Sequence, residues 1–331
     1  METPTVTVLT AVYNGALFLS ETISSIQAQD FNDWEYIIVD DASTDDTRQI
    51  VKNAMNLDSR IRLLACNERR GCYAAANAGL QESRGKYVFR TDADDLSAPN
   101  RLTRQLQYMA DHPQYRACVS FWRPFNAQGF TTVTAVKIPE RPQVFKWFLL
   151  LRNSCLHSSA CIERAAIMEL GGYRELPLSQ DYRLWAELTQ RDWLGIVPEV
   201  LSYVRIHEMR QTRQRAKLQS DLAMDILSDH IFALTKQRWA RGELDLLKAI
   251  AYCHGVPVSQ GMAMFDRWDC LWRSDPQLDV RDRRDLTRIS REHKWNLLRA
   301  NVRKQPVRVL LNYIKLVLLP ESSCTDSATS W

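Results

Sequence analysis

The amino-acid sequence predicts an α/β fold with a mostly parallel sheet, followed by a helical extension. In the first half, short β-branched runs alternate with segments of helical periodicity, which is typical of βαβ units. After about residue 210 the strand-like runs stop, and long helical segments follow one another, separated by turns such as Asp275-Pro276. We therefore expect a first domain over residues 1–210 and a helical extension over residues 211–331, which ends in a polar tail.

The elements of the first half follow in a regular order. The predicted strands are Val6–Val12, Trp34–Val39, Ile61–Ala65 and Tyr87–Arg90, and the predicted helices between them are Leu17–Gln29, Asp45–Met55 and Ala74–Ser83. In parallel sheets of this kind, ligands bind beyond the carboxyl ends of the strands. Asp40-Asp41 and Asp92–Asp95 directly follow the second and fourth strands, so we expect both acidic clusters to face one crevice.

The extension has a different character. Its predicted helices are Ala216–Trp239, Leu244–His254, Met262–Trp272, Arg281–Val302 and Val307–Leu319. The segment Pro306–Pro320 is apolar at most positions and contains Arg308 and Lys315. This pattern fits a basic amphipathic helix in a membrane interface, and it fits equally a helix packed on the domain with its charges solvated. The tryptophans and arginines of the extension are also candidates for lining an acceptor groove.

Composition excludes several classes of protein. The net charge of +4 over 331 residues is too weak to predict nucleic-acid binding. No run of about 18 apolar residues occurs, and the start of the chain lacks the basic and apolar regions of a signal peptide. The eight cysteines form no CxxC pair, which argues against a cysteine metal site, and a disulfide framework is not expected in a chain of this length. The absence of a secretory signal predicts reduced thiols. These features predict a cytoplasmic protein, with a peripheral contact at the inner face of the membrane as an option.

The carboxylates after the fourth strand are the first candidates for chemistry. Asp92, Asp94 and Asp95 would repel one another unless a cation lies between them. Hard oxygen ligands suit Mg²⁺ or Mn²⁺, which commonly bind one or two carboxylates together with substrate phosphates. A solvated acidic turn that caps the next helix explains the same residues. Capping also explains part of the second cluster, Val39–Thr47, but not its two carboxylates at a strand end.

Four segments taken together resemble a known family. VTVLTAVYNG, VDDASTDDT, NERRGCYAAANAGL and GKYVFRTDADDLSAPNRL, in this order and spacing, resemble the N-terminal half of family 2 glycosyltransferases with the GT-A fold. The resemblance covers about residues 5–210 and is greatest to bacterial enzymes that build surface polysaccharides. It implies a Rossmann-like, mostly parallel sheet and an inverting, metal-dependent hexosyltransferase. Such an enzyme moves a sugar from a nucleotide-diphosphate donor, by family habit UDP, to a carbohydrate or lipid-linked acceptor hydroxyl.

The resemblance also implies roles for individual residues. It assigns the nucleotide to Ala11, Tyr13, Asp40, Asp41, Asn67, Gly71, Asn77 and Asp92. It assigns Mn²⁺ or Mg²⁺ to Asp94, with Asp92 as a further ligand and His207 of the Arg205-Ile206-His207 segment as another. One departure is Ala76, where the family often has an arginine. Arg69 or Arg70 is the expected substitute for its positive charge.

A second set of motifs resembles the acceptor side of the family site. It comprises Leu156–Ala160, Gly171–Arg174 and Ser179–Trp185. Gln180-Asp181 stands where the family has Glu-Asp, and the resemblance makes Asp181 the general base. From the sequence alone, a helix cap or an acid in the first turn of a helix is the favoured explanation of Asp181, and the resemblance reverses this preference.

Two other functions remain open at this stage. A nucleotide-sugar pyrophosphorylase or cytidylyltransferase would need a glycine-rich, basic phosphate loop after the first strand, and Thr10–Gly15 contains no lysine or arginine. A non-catalytic sugar- or nucleotide-binding scaffold with the same fold would be expected to have lost its metal or base carboxylates. Asp94 and Asp181 are both present, which favours the enzyme.

Overall fold

The computed structural model describes residues 3–207, 216–251 and 256–301. The described residues divide into two compact units. The first lies within Met1–Pro142 and Asn153–Ile226, and the second within Gln143–Arg152 and Leu227–Trp331. The expected domain boundary at residue 210 and the expected helix Val307–Leu319 lie outside the described residues, so both stay predictions.

The described strands and helices follow in chain order. The strands are β1 (Val6–Val12), β2 (Trp34–Asp40), β3 (Ile61–Ala65), β4 (Tyr87–Arg90), β5 (Leu96–Ser97), β6 (Ala117–Asn126), β7 (Gly129–Phe130), β8 (Ala160–Glu163) and β9 (Leu194–Arg205). The helices are α1 (Leu19–Gln27), α2 (Thr47–Leu57), α3 (Cys72–Glu82), α4 (Arg101–Asp111), α5 (Pro142–Leu151), α6 (Arg164–Glu169), α7 (Gln180–Gln190), α8 (Ala216–Thr235), α9 (Arg241–Ala251), α10 (Val258–Arg273) and α11 (Val280–Asn301).

The described strands form one mixed, mostly parallel sheet. Its order is β3-β2-β1-β4-β8-β6-β9-β5, and β7 pairs with β6. The first four strands in this order are parallel, and β6 and β9 are also parallel. β8 runs antiparallel between β4 and β6, and β5 runs antiparallel to β9. The predicted α/β fold class is therefore confirmed.

The register of the parallel strands aligns the predicted site segments. Val12, the last residue of β1, pairs with Asp40, the last residue of β2. β4 ends opposite Leu9 of β1, where Arg90 is its partner. The chain therefore leaves all three strands at the same edge of the sheet, as expected for carboxyl ends of parallel strands.

Gly79 allows helix α3 to pack directly against the strands of this sheet. A Cβ atom at Gly79 would lie 2.3 Å from Cδ1 of Leu9 and 2.8 Å from Cγ2 of Val39. Leu9 and Val39 belong to the fully buried parts of β1 and β2. Glycine therefore allows the helix to approach both strands, and its first residue, Cys72, comes beside their ends. A larger side chain at position 79 would push the helix outward.

The second unit is helical and has its own core. Trp147, Trp268 and Trp272 are buried there, and the indole nitrogen of Trp147 donates to Asp275 over 2.9 Å. Lys294 is buried with Asp269, and its Nζ lies 2.6 Å from Oδ2 of Asp269. A buried ion pair of this kind is expensive to break, since either partner alone would be an uncompensated charge. None of the described helices is long and apolar enough to cross a membrane.

The cysteines differ in part from the expectation. Those described as free thiols are Cys66, Cys72, Cys118, Cys155 and Cys161. Cys270 of α10, in contrast, is disulfide-bonded. The expectation that the thiols are reduced is therefore wrong at this residue. The expectation rested on the absence of a secretory signal and on the length of the chain, and neither excludes a single disulfide.

Candidate active site

A pocket of about 300 Å³ opens at the edge of the sheet where β1 and β2 end. The residues lining it are Ala11, Val12, Tyr13, Asp41, Arg69, Arg70, Gly71, Cys72, Tyr73, Ala75 and Pro177. Of the residues assigned to the nucleotide by resemblance, the structure brings Ala11, Tyr13, Asp41 and Gly71 together here. They come from three segments that are far apart in the sequence, which the strand register brings to one place.

Asp41 shapes the wall of this pocket. Its carboxylate is almost fully buried and accepts hydrogen bonds from the backbone N–H groups of Arg70, over 2.7 Å, and Gly71, over 2.9 Å. Gly71 has a φ of 91°, a conformation that glycine adopts without the strain of a Cβ atom. Asp41 and Gly71 together therefore fix the turn that leads into α3.

Two arginines on this turn give the pocket its positive charge. The guanidinium carbon of Arg69 lies 3.8 Å from the ring centroid of Tyr13, and Arg70 lines the same wall. Ala76, where the family often has an arginine, is fully buried. Arg69 and Arg70 are exposed and line the pocket, and their substitution for the missing charge stays a prediction.

The remaining residues assigned to the nucleotide do not line the pocket. Asp40 is fully buried; it forms an ion pair with Arg48 and accepts the backbone N–H of Ser43 over 3.2 Å. Asn67 is exposed. Asn77 exchanges two hydrogen bonds of 2.8 Å with the backbone of Tyr173. The nucleotide assignments of these residues stay predictions, and the carboxylate of Asp40 and the amide of Asn77 already have protein partners.

The Asn77 contact links the two halves of the first unit. It anchors the Gly172-Tyr173 turn, where Gly172 has a φ of 77°. A Cβ atom at Gly172 would lie 2.6 Å from Oδ1 of Asn77, so only glycine fits this close approach. Asn77 therefore acts on the acceptor-side turn, a role that the sequence did not indicate.

The turn after β4 carries the candidate metal ligands. Oδ2 of Asp94 lies 2.7 Å from Nε2 of His207. The end of β9 holds this turn, because Arg205 donates its Nε to the carbonyl of Asp94 over 3.1 Å and its backbone N–H to Asp95 over 3.2 Å. The ring of Phe18 lies 4.8 Å from that of His207 and 4.5 Å from the guanidinium carbon of Arg205. Arg205 and Phe18 are thus positioning residues that the sequence analysis did not identify.

Asp94 and His207 fit a divalent cation whose remaining coordination positions are filled by a bound ligand. A carboxylate oxygen and an imidazole nitrogen converge on one point, and Mn²⁺ accepts both. Within residues 3–207, 216–251 and 256–301, no group of three or more His, Cys, Asp or Glu residues is arranged to hold a metal. The other coordination positions would then belong to phosphate oxygens and water, as is common for Mg²⁺ and Mn²⁺.

Asp92 faces a different partner from Asp94. Its Oδ1 lies 3.6 Å from Nη2 of Arg90, which is fully buried at the end of β4. Nη1 of Arg90 donates to the carbonyl of Leu9 over 2.9 Å, while Nε and Nη2 have no hydrogen-bond partner among the described residues. Burial, with the charge of Arg90 adding to it, lowers the pKa of His157 to about 3, so this histidine is neutral.

Asp181 lies in the first turn of α7. Burial raises the pKa of its carboxyl group to about 6, and the negative charge of Asp92 acts in the same direction. The backbone N–H of Tyr182 and the amide of Asn153, whose Nδ2 lies 3.5 Å from Oδ2, oppose this rise. A carboxylate with a pKa just below neutral is ionised at pH 7 and still accepts a proton readily, as a general base requires.

Gln180, the departure from the family's Glu-Asp pair, has a structural role. Its buried side chain donates Nε2–H to the carbonyl of Leu176 over 2.7 Å. A glutamate has no proton to donate when ionised, so it could not make this bond. The amide therefore fixes the loop that leads into the helix carrying Asp181.

Cys72, which lines the pocket, lies within the electrostatic range of both Asp41 and Asp181. Burial raises the pKa of the Cys72 thiol to about 11, and the charges of Arg90, Asp92, Asp41 and Asp181 all act on it. Cys72, Tyr73 and Pro177 line the pocket without having been predicted. The first two directly follow Gly71, so extending that motif would have found them. Pro177 comes from the acceptor half, and only the fold brings it there.

Comparisons with known proteins agree with this geometry. Residues 7–170 match the model of Glycosyl transferase family 2. The chain is 30% identical over 207 residues to the putative glycosyltransferase EpsE of Bacillus subtilis, covering 61% of this chain and 73% of that one. It is 28% identical over 186 residues to the UDP-Gal:alpha-D-GlcNAc-diphosphoundecaprenol beta-1,3-galactosyltransferase of Escherichia coli, covering 56% and 67%.

Solved structures share the fold. Residues 1–349 of S. aureus TarS in complex with UDP-GlcNAc align with a TM-score of 0.59 at 16% identity, covering 92% of this chain and 91% of that one. The mannosyltransferase PcManGT from Pyrobaculum calidifontis, in complex with GDP-Man and Mn2+, aligns with a TM-score of 0.52 at 20% identity, covering 96% and 88%. With the predicted GT-A-like architecture in place and a relative at 30% identity, the chain belongs to glycosyltransferase family 2.

Proposed function

We propose that this protein is an inverting, metal-dependent glycosyltransferase that moves a hexose from UDP to an acceptor hydroxyl. The observation that carries the proposal is the position of Asp181. Its carboxyl group has a pKa of about 6 and lies within the electrostatic reach of Asp92, from the donor half of the site. The candidate base therefore lies within electrostatic range of the turn that carries the candidate metal ligands.

The pocket beyond β1 and β2 is the proposed nucleotide site. Tyr13 and Arg69 offer flat surfaces for a base, and Arg69 and Arg70 offer positive charge for the diphosphate. UDP is the proposed nucleotide because it appears in the name of the E. coli relative and in the TarS complex.

Asp94 and His207 are the proposed holders of Mn²⁺ or Mg²⁺. Arg205 keeps the Asp94 turn against the end of β9, so the two ligands stay together before a donor arrives. When bound, the cation would neutralise the charge that develops on the diphosphate as it leaves. The Mn2+ complex of PcManGT is consistent with this choice of metal.

Asp181 then takes part in the chemical step itself. It accepts the proton of the acceptor hydroxyl while that oxygen forms a bond to the anomeric carbon of the sugar. The bond from this carbon to the diphosphate breaks, and its electron pair leaves with the nucleoside diphosphate. Attack on the side opposite to the leaving group inverts the anomeric centre.

The proposed acceptor is a carbohydrate, free or linked to a lipid. The E. coli relative is named for an acceptor on diphosphoundecaprenol, which is a lipid carrier. A lipid-linked acceptor would place the enzyme in the cytoplasm, at the inner face of a membrane, with a peripheral contact. Synthesis of surface polysaccharide or glycolipid is the corresponding role.

Thermal unfolding with UDP tests the donor site. A ligand present at about a hundredfold excess over its Kd stabilises the folded state by about 2.7 kcal/mol. We expect UDP to raise the melting temperature only when Mn²⁺ or Mg²⁺ is present, and Asp94→Ala to abolish this rise. Asp225→Ala, at an exposed carboxylate of α8, should leave it unchanged.

Three results would contradict parts of this proposal. A melting temperature that no nucleoside diphosphate shifts, with or without metal, would remove the donor site. A shift that persists in EDTA would remove the metal. Binding of UDP-sugar without turnover on any acceptor would favour the non-catalytic scaffold instead.

A further inference from the structure

Arg90, at the end of β4, is a buried charge whose hydrogen-bonding groups are only partly used. Its side chain is fully buried, and Nη1 donates to the carbonyl of Leu9 over 2.9 Å. The buried Nε and Nη2 have no hydrogen-bond partner among the described residues. A buried N–H group without a partner costs free energy, and it costs more when the group is charged. The fold therefore keeps an unfavourable group at this position.

Arg101 is a second buried arginine in the same unit, and its guanidinium group is fully bonded. Nε donates to Oε1 of Gln105 and Nη1 donates to Oγ of Ser97, both over 3.0 Å. Nη2 donates to the carbonyls of Arg90, over 2.8 Å, and Ala160, over 3.0 Å. These bonds join α4 to β4, β5 and β8, so the charge of Arg101 has a structural explanation that the charge of Arg90 lacks.

The one hydrogen bond that Arg90 makes is not essential to its acceptor. The carbonyl of Leu9 also accepts the backbone N–H of Thr91 over 3.2 Å. Without the guanidinium group, this carbonyl would still have a hydrogen-bond donor, and no buried acceptor would lose its last partner. The fold therefore requires the volume of the Arg90 side chain but not its charge.

Asp92 is the acidic partner of Arg90. Its Oδ1 lies 3.6 Å from Nη2 of Arg90, so the two groups attract each other without the close contact of a hydrogen bond. The backbone of Asp92 is held separately, because its N–H donates to the buried Oγ of Ser158 over 2.9 Å. The side chain of Asp92 is 36% exposed, whereas Arg90 has no contact with solvent. Ser158 therefore fixes the main chain, and Arg90 acts on the carboxylate from its buried side.

We propose that Arg90 is a positioning residue, whose Nη2 holds the Asp92 carboxylate in the orientation that the donor requires and closes to hydrogen-bond distance when the donor binds. The charge of Arg90 also acts on Cys72 in the pocket wall, where it opposes the rise in the thiol pKa that burial causes. The inference rests on the proposed function, in which Asp92 belongs to the donor half of the site. It adds the residue through which this carboxylate is oriented.

Unfolding without ligand is the first test. Arg90→Met removes the charge and keeps an unbranched side chain. We expect this variant to be at least as stable as the wild type, because replacing a buried charge by an apolar group is often neutral or stabilising. Arg101→Met should lower the melting temperature by at least about 5 °C, because it leaves buried oxygen atoms without donors.

Calorimetry with UDP and Mn²⁺ measures the effect on the donor. We expect Arg90→Met to bind UDP about ten- to a hundredfold more weakly than the wild type, the range for a hydrogen bond to a charged group. Arg90→Lys keeps the charge without the planar fork and should recover part of this loss. The matched control is Arg284→Met, at an exposed position of α11, which should bind UDP like the wild type.

A double-mutant cycle distinguishes positioning from a general disturbance of the site. Asp92→Asn removes the charge on which Arg90 acts. We expect Arg90→Met to weaken UDP binding by less than about twofold when it is added to Asp92→Asn, because the effects of partners in one ion pair are not additive. A purely structural effect of Arg90 would weaken binding equally in both backgrounds.

Three results would overturn this inference and leave the donor site intact. One is UDP binding by Arg90→Met that equals that of the wild type. Another is a loss of stability in Arg90→Met as large as that in Arg101→Met, which would make the charge structural. The third is an additive double-mutant cycle, which would show that Arg90 acts independently of Asp92. A wild-type protein that does not bind UDP with Mn²⁺ or Mg²⁺ would reject the proposed donor site and this role of Arg90 together.

Discussion

The two sides of the crevice are stabilised in different ways. On the pocket side, both carboxylate oxygens of Asp41 accept hydrogen bonds from the backbone N–H groups of Arg70 and Gly71 in the turn. On the opposite side, Asp181 has an amide at 3.5 Å and a helix N–H, and burial raises its pKa. On the pocket side, the buried carboxylate of Asp41 therefore has hydrogen-bond donors for both oxygens, and these bonds fix the shape of the turn. On the Asp181 side, the negative charge of the carboxylate is incompletely compensated and costs folding free energy, which is a feature of catalytic carboxylates.

The largest effect on the reaction rate is expected when the carboxylate of Asp181 is removed. Asp181→Asn preserves the size of the side chain and removes its ability to accept a proton. We expect kcat to fall by about 10²–10⁴, the usual contribution of a general base. Stabilisation by UDP and metal should not change, because the pocket side does not depend on Asp181. Initial rates with UDP-sugar and a competent acceptor measure the first effect, and thermal unfolding measures the second.

The matched control is Asp225→Asn, at an exposed carboxylate of α8, which should keep the full rate. The pH profile adds an independent readout. With a pKa of about 6, kcat/KM should fall about tenfold per pH unit below pH 6 in the wild type. A wild-type rate for Asp181→Asn, or a flat profile below pH 6, would reject Asp181 as the base.

The ionised carboxylate of Asp181 should lower the free energy of unfolding at neutral pH. The folded state holds the proton of Asp181 up to about pH 6, while the unfolded chain loses it near the ordinary value of 3.8. Stability therefore falls as pH rises between these values, and the full cost is present above pH 6. We expect Asp181→Asn to be more stable than the wild type by about 1–3 kcal/mol near pH 7.5, with a smaller difference near pH 4.

Urea unfolding at the two pH values measures this difference. An inactive variant that is also more stable would show that Asp181 is retained for function. A variant that is less stable than the wild type near pH 7.5 would mean that hydrogen bonds to the carboxylate outweigh its burial. Asp181 would then stabilise the fold, as Asp41 does, and the two sides of the crevice would not differ in this respect.

The sequence predicted the pocket side of the crevice better than the Asp181 side for a physical reason. β1, β3 and β4 begin and end where the periodicity predicted. Ala11 lies near the end of β1, Tyr13 and Asp41 directly follow β1 and β2, and Gly71 directly precedes α3. Local pattern therefore sets their positions, and the parallel register brings them together. The extended strands β6 and β9 were not predicted, although β9 ends at Arg205 beside Asp94.

Contacts across the sheet were beyond local pattern. The pairing of Asn77 with Tyr173 joins residues separated by 96 positions, and nothing near either residue indicates the other. The burial of the charged Arg90 was likewise not predicted, because the sequence alone does not indicate which arginine is removed from solvent. Resemblance to the family supplied Asp181, and the structure added the burial that raises its pKa.

A smaller effect is expected at Gln180. Gln180→Glu restores the residue that is usual in the family but removes the donor to the carbonyl of Leu176. It also places a negative charge next to Asp181. We expect a loss of about 1–3 kcal/mol in stability, the range for a buried group left unpaired, and a further rise in the pKa of Asp181.

Urea unfolding and the pH profile test both parts of this prediction. Gln81→Glu makes the same change at an exposed site of α3 and should have little effect. If Gln180→Glu were as stable as the wild type and more active, the family's negative charge would be functional here, and the amide would be only tolerated.

The smallest effect is expected on the pocket side, at Arg69. Its contact with the ring of Tyr13 is exposed, and such cation–π contacts contribute about 0.5–1 kcal/mol. We expect Arg69→Ala to weaken UDP binding about two- to fivefold, measured by calorimetry, with kcat unchanged at saturating donor. Asp41→Ala should weaken binding more, because it releases the whole turn that holds Arg70 and Gly71. If Arg69→Ala instead lowered kcat as much as Asp181→Asn, this arginine would act on the diphosphate during the reaction, and the pocket side would also take part in the chemistry.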